Sequence, residues 1–140
     1  IKFIVVDDKD KIKKISESCQ QDFIANAQYV MVVCSNPSRP INEYGDAGKI
    51  YARQQAGAAI ENFLLKITES GLSTCWIGYF VEEQIKKILD IPKGVDVEAL
   101  FPIGYESEKP RTRRAKIDLD RILYFDSYGN SKMKKIHATE

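Results

Sequence analysis

A long helical pattern that runs straight into a glycine, and from there into a short strand-forming run, limits this chain more than any other feature. Between residues 49 and 70, Ala56, Ile60, Phe63, Leu64 and Ile67 recur at helical spacing and line one face. Gly71 follows and can supply the left-handed cap that stops a helix. Thr74-Cys75-Trp76-Ile77 then reads as a short buried strand, and Gly78 interrupts it. A glycine ending a strand marks a place where something approaches the backbone, although the same residue serves equally well as a purely structural one. Within the helix, Ala56, Gly57, Ala58 and Ala59 would let another backbone come close. A helical glycine costs about 1 kcal/mol relative to alanine, so close packing is the expected offset and the helix is expected to be largely buried.

The flanks supply the rest of a layered domain. Residues 2–6 read as a buried strand, and Asp7-Asp8 can cap a following helix whose apolar positions Ile12, Ile15, Cys19 and Phe23 recur every three or four residues. The opposite face of that helix carries Lys11, Lys13, Lys14 and Glu17 and reads as a solvated surface. Residues 29–34 form a continuous β-branched and apolar run, as expected of a central strand covered on both faces. Pro37 and Pro40 break it, and residues 35–48 read as a long surface loop. A short amphipathic helix over 81–89 and a last strong strand over 97–105 follow, with Pro102 suggesting an edge or a bulge. Residues 119–125 are apolar again and need a partner surface, whereas 127–140 read as a polar tail. Four strand candidates interleaved with helices make an α+β or α/β-like domain.

Composition removes most alternatives. A formal charge of +1 gives no global reason to expect nucleic acid or an acidic membrane as partner. No apolar run approaches the roughly 18 residues needed to span a bilayer. The three cysteines, Cys19, Cys34 and Cys75, are odd in number and far apart, so they read as small buried thiols of a reducing compartment, and the cytoplasm is the expected location. The only histidine is His137, which leaves no supply for a histidine-dependent triad or a multi-histidine metal centre. Neither a dinucleotide-binding glycine fingerprint nor a phosphate-binding P-loop occurs. An enzyme so poor in side-chain catalysts would have its chemistry carried by a cofactor. The chain opens on Ile-Lys-Phe-Ile-Val-Val, a strand already under way without an initiator methionine, which suggests a fragment, a domain of a longer chain or a processed product.

Three blocks, taken together, carry a resemblance. Gln55-Ala56-Gly57-Ala58-Ala59-Ile60-Glu61-Asn62-Phe63-Leu64-Leu65 is similar to the central helix of the nitroreductase family of FMN-dependent oxidoreductases. Gly71-Leu72-Ser73-Thr74-Cys75-Trp76-Ile77-Gly78-Tyr79-Phe80 resembles that family's Gly-Leu-x-x-x-Trp-Ile-Gly-x-Phe signature. Leu100-Phe101-Pro102-Ile103-Gly104-Tyr105, followed by Lys109-Pro110-Arg111-Thr112-Arg113-Arg114, resembles its later strand and phosphate-binding arginines. The family's arginine- and serine-rich N-terminal flavin-binding block has no counterpart here, and Gln55 stands where an acidic residue is common.

The resemblance implies a single domain over 1–126 with a mixed sheet flanked by helices, an intertwined homodimer, FMN as cofactor and NAD(P)H as reductant. It implies flavin-ring contacts at Ile77, Gly78 and Tyr79, with backbone N–H donors from this strand end, and phosphate contacts at Arg111 and Arg113. Guanidinium forks suit a phosphate dianion. Trp76 and Phe80 read as core residues that fix this edge, and Tyr44 or Arg39 from the loop over 35–48 would face substrate. No side chain is assigned as catalytic acid or base. The implied activity is ping-pong hydride transfer to a nitroaromatic, a quinone or a similar small electron-poor acceptor. The alternative is a non-catalytic binding or structural domain of the same fold that has lost flavin binding.

Overall fold

Strand β1 (Lys2–Val6) opens a computed structural model that describes residues 1–106 and 116–133. Asp8 caps the next helix, α1 (Lys9–Cys19), by accepting the Lys11 amide at 2.9 Å. The helix ends sooner than its apolar periodicity suggests, because Gln20 takes a left-handed conformation (φ 54°). Phe23 therefore belongs to a 3₁₀ turn (Asp22–Asn26) and is half exposed. Strand β2 (Tyr29–Ser35) follows.

The stretch expected to be a long loop is instead a helical hairpin. Helix α2 (Ser38–Tyr44) starts at the two prolines that looked like breakers. Pro37 sits at the N-cap and Pro40 in the first turn, where a missing N–H leaves no helical bond unmade. Gly45, at φ 57°, turns the chain into α3 (Asp46–Glu69). The two helices approach so closely at Gly48 that an added Cβ would lie 2.1 Å from the Pro40 carbonyl oxygen. Tyr44 and Tyr51 pack edge to face across the hairpin at 5.4 Å. Beyond α3 come β3 (Ser73–Thr74), α4 (Glu82–Ile88) and β4 (Asp96–Gly104).

The fold is α+β: the four strands form one sheet in the order β1-β2-β4-β3, and every pairing in it is antiparallel. Helices cover both of its faces. On one face α1, α4 and the 3₁₀ turn bury Ile12, Ile15, Ile24 and Ile85 against Val30, Val32, Ile77 and Leu100. On the other, Ile60 of α3 meets Val33, Ala99 and Phe101, with Phe63 and Leu64 packed at the margin. Strand β2 is thus covered on both sides, as its unbroken apolar run requires.

Helix α3 is not largely buried within this chain. Gly48, Ala52, Ala56, Ile60 and Ile67 form its buried stripe, whereas Ile50, Tyr51 and Leu65 remain exposed, because the sheet shields only one side. Gly57 faces open space, so the close approach that a helical glycine implies occurs at Gly48 instead.

Pro102 lies in an interior strand, opposite Val30 of β2. Leu100 turns its N–H toward Ile77, so the alternation along β4 points the Pro102 nitrogen to the same side. There Cys75 and Trp76 have left the ladder, and no bond is asked of it. The irregularity of the sheet lies elsewhere, at Glu98, where Val33 pairs with Ala99 and Cys34 with Val97. Glu98 accepts the buried Ser35 hydroxyl at this bulge.

The chain divides into two compact units, residues 1–107 and 108–140. In the second unit a 3₁₀ turn (Leu119–Arg121) precedes a loop in which the Phe125 amide donates to the Asn130 carbonyl at 2.7 Å. Ile117, Leu119, Ile122 and Leu123 are exposed. No helix among the described residues is long and apolar enough to cross a membrane.

Two predictions follow from the packing. Gly48→Ala forces α2 away from α3 and is expected to cost about 1–3 kcal/mol, the usual range for overpacking, read as a lower urea midpoint. Burial pushes the Cys19 thiol from 9.0 up to about 11. Cys34 also rises to about 11, by burial first and then by the Glu98 carboxylate. Both groups favour the neutral thiol in the folded state, so their contribution is full below about pH 9 and is lost as pH rises toward 11. Cys75 is exposed, contrary to its expected burial. Iodoacetamide at pH 8 should therefore label Cys75 alone, with Cys19 and Cys34 modified only on unfolding, as read by peptide mass.

Candidate functional site

Helix α3 stops where the sequence says it should. Gly71, at φ 70°, donates to the Thr68 carbonyl at 3.0 Å, and Leu72 donates to Ile67 at 3.1 Å, the paired bonds of a Schellman cap. The chain leaves this cap as β3, pairing Ser73 with Gly104 and Thr74 with Ile103. The Thr74 hydroxyl then donates to the Pro102 carbonyl at 2.8 Å.

The expected buried strand through Ile77 is interrupted. Cys75 and Trp76 swing out of the ladder, and Trp76 is 49% exposed. Its indole packs edge-on against Phe101 at 5.4 Å, so it borders the core rather than lying inside it. Phe80 packs at the margin of the opposite core cluster. Ile77 returns to the sheet as an isolated bridge, donating to Leu100 at 2.9 Å and accepting from it at 3.1 Å. Its side chain is 2% exposed. Both backbone groups of Ile77 are therefore committed to β4, and Ile77 offers no N–H to a ligand.

Gly78 and Tyr79 differ in this respect. Neither amide donates to any described residue. Nothing stands over Gly78: a Cβ placed there would meet only the Trp76 indole, at 3.9 Å. The Tyr79 side chain is 67% exposed. Two consecutive donors without a partner among the described residues thus sit at an exposed backbone edge.

That edge is held at both ends. Beyond Tyr79 and Phe80, the Val81 amide donates to the Ser18 carbonyl of α1 at 3.0 Å. One residue later, Glu82 accepts the Val97 amide of β4 at 3.0 Å and pairs with Lys86 at 2.8 Å. Partial burial works against the Glu82 charge, but the Lys86 ammonium and the Val97 amide outweigh it and hold the carboxyl below its ordinary value. The hydrogen bond to Glu82 raises Lys86 in turn, against the burial of an ammonium whose side chain is only 10% exposed. Sequence reading missed Glu82. An acidic first turn on α4 was the available signal, yet helix-cap charges are too common to single one out.

A cavity of about 370 Å³ opens at the neighbouring end of β3 and β4, where Ser73, Cys75 and Gly104 face Phe23 and Ala27. Its size falls in the range of small-ligand sites. Arg39 and Tyr44 lie on α2, with Arg39 paired to Glu43 at 3.4 Å. Arg111 and Arg113 lie outside the described residues, as does His137. Among the described residues no group of histidine, cysteine and carboxylate side chains could hold a metal ion.

Comparison with known proteins agrees with this architecture. Residues 2–105 match the nitroreductase family. An Archaeoglobus fulgidus protein provisionally named NADH dehydrogenase/NAD(P)H nitroreductase is 30% identical over 112 residues, covering 76% of this chain and 62% of that protein. A provisionally named nitroreductase of Methanocaldococcus jannaschii is 34% identical over 89 residues, covering 64% and 44%. The chain thus spans between 44% and 62% of the length of these curated relatives. Among solved structures, a nitroreductase family protein from Clostridium novyi NT superposes with a TM-score of 0.69 at 32% identity, covering 92% of this chain and 71% of that one. An FMN-dependent nitroreductase from Clostridium difficile R20291 superposes at 0.70 with 25% identity, covering 91% and 75%. With most of its length matched and its fold shared, the chain belongs to the nitroreductase family.

Proposed function

We propose that the protein is an FMN-dependent oxidoreductase that takes reducing equivalents from NAD(P)H and delivers them, in a ping-pong scheme, to a small electron-poor acceptor such as a nitroaromatic or a quinone. The observation that carries the reading is the pair of amides at Gly78 and Tyr79 that donate to no described residue, at an exposed edge anchored through Ile77 and Val81. A flavin ring presents N5 and carbonyl oxygens as acceptors, and two adjacent N–H groups at a bare edge fit them. When bound, FMN supplies the acceptance and donation of hydride. The similar C. difficile structure is described as FMN-dependent, and the A. fulgidus relative's name includes NADH and NAD(P)H, which supports the same cofactor and reductant here.

The chain's own residues bind and orient. Gly78 and Tyr79 would donate to the ring, and Ile77 fixes their position by anchoring the turn to Leu100. Arg111 and Arg113 are assigned to the phosphate by resemblance, where guanidinium forks match a dianion better than single ammonium groups do. Homodimerisation belongs to the same reading. Ile50 and Leu65 on the outer side of α3, with Phe3 and Val5 on β1, are large apolar side chains left exposed within one chain. Arg39 and Tyr44 on α2 are the candidates to face the acceptor.

The first test is the visible spectrum after loading with FMN and dialysis. Flavin absorbance that persists, together with NAD(P)H oxidation in the presence of a quinone, is the expected result; a folded protein that stays colourless sinks the proposal. Gly78→Val should leave the thermal midpoint nearly unchanged, since a Cβ there meets only the Trp76 indole at ordinary contact distance, while abolishing retained flavin. Arg113→Ala removes a charge-assisted bond worth about 1.5–3 kcal/mol, so FMN affinity should fall roughly 10- to 100-fold. Unchanged affinity would remove Arg113 from the phosphate site.

A further inference from the structure

A groove of about 500 Å³ lies between α1 and α4, and neither Gly78 nor Tyr79 lines it. Lys11 and Lys14 stand one turn apart on α1, and Lys87 and Gln84 stand one turn apart on α4, so helical spacing brings both pairs to one opening. Sequence reading treats Lys11 and Lys14 as part of a solvated face. The fold adds what the sequence does not show, a third lysine and an amide from a helix more than sixty residues further along the chain.

Three features make the groove more than a charged surface. None of Lys11, Lys14 and Lys87 is in an ion pair among the described residues. Three ammonium groups against the single carboxylate of Glu17 leave the lining with a net charge of +2. The walls are also fixed: Ile15 and Cys19 of α1 share a core with Ile85 of α4, and Val81 donates to Ser18 at 3.0 Å beneath the opening. Ile88 adds an apolar patch beside the charges.

We propose that this groove binds a phosphate monoester of an organic molecule, its dianionic phosphate among Lys11, Lys14 and Lys87 and its organic portion against Ile88. A doubly negative group neutralises the lining, and the Gln84 amide can donate to a further phosphate oxygen. Three flexible ammonium groups recognise charge rather than a fixed fork, so the site selects the dianion more than one particular ester. The site needs neither FMN nor the arginines after β4.

Phenyl phosphate and inorganic phosphate are the probes, titrated at low ionic strength against the whole chain and followed by amide chemical shifts. The expected result is saturable shifts centred on Lys14, Ser18, Gln84 and Lys87, with phenyl phosphate binding the more tightly. The double variant Lys14→Glu/Lys87→Glu should weaken binding by about tenfold or more, since it turns two of the three attracting charges into repelling ones. Lys14→Gln/Lys87→Gln should give a smaller loss in the same direction, and unshifted amides in β2 and β4 confirm that both variants fold. Equal affinity for the two probes would overturn the organic half of the proposal and leave an inorganic anion site. Shifts that are absent, or that persist undiminished in the charge-reversed variant, would overturn it entirely.

Discussion

The two-way hydrogen bond between Ile77 and Leu100 is the contact on which the candidate site depends. Strand β3 pairs over only two residues before Cys75 and Trp76 leave the sheet. Without a return point, the segment toward α4 would hang from a two-residue pairing, too short to fix a backbone edge to ligand-binding tolerance. Ile77 supplies that return with both of its backbone groups and a fully buried side chain. Burying an isoleucine side chain contributes about 1.5–3 kcal/mol, and the paired bonds add direction. Because Ile77 uses all it has on β4, alternation turns the Gly78 amide away from that strand, and the Tyr79 amide likewise donates to no described residue. One residue is committed so that the following pair can be free.

Pro102 and Glu82 complete the same arrangement from opposite sides. A residue with an N–H at 102 would point a donor at Cys75 and Trp76 and favour continued pairing of β3 there. Proline withholds that donor, and the Thr74 hydroxyl takes the Pro102 carbonyl instead. The gap in the ladder is therefore written into both strands. Glu82 then ties the start of α4 to Val97, next to the bulge at Glu98. Its ion pair with Lys86 contributes little energy at a half-exposed carboxylate. What it adds is orientation: a charged acceptor for the Val97 amide, held in place by a nearly buried ammonium.

Much of this was legible in the sequence, and the failures share a physical cause. The cap at Asp8, the stop at Gly71, the doubly covered β2 and the residues lining α3 follow from local chemistry and periodicity, which the fold leaves intact. The motif at 71–80 singles out the edge at Gly78 and Tyr79, but not the hydrogen bonding within it, since hydrogen-bond partners across a sheet depend on register. Ile77 looked like a donor and is an anchor. The prolines at 37 and 40 read as breakers because a proline stops a helix from its interior and starts one from its first turn, and only the position of the helix distinguishes the two. Phe23 and Cys75 were placed inside by pattern, yet a left-handed Gln20 and the departure from β3 put them at the surface.

The remaining gap concerns α3, where sequence and single-chain structure disagree most. Its apolar residues extend around more of the helix than the sheet can cover, leaving Leu65 and Ile50 about 60% exposed. An isolated domain has no reason to keep such side chains on a helix that already has a sufficient inward stripe of Ala52, Ala56 and Ile60. The small residues argue the same way, because Gly57 faces open space and only a second surface would make use of its missing side chain. On the homodimer reading proposed above, burial of the outer face of α3 against another copy would account for both observations with one contact, whereas packing among the described residues accounts for neither. On that reading, the apolar residues around more than one side of α3 describe its surroundings in an assembly rather than in the single chain.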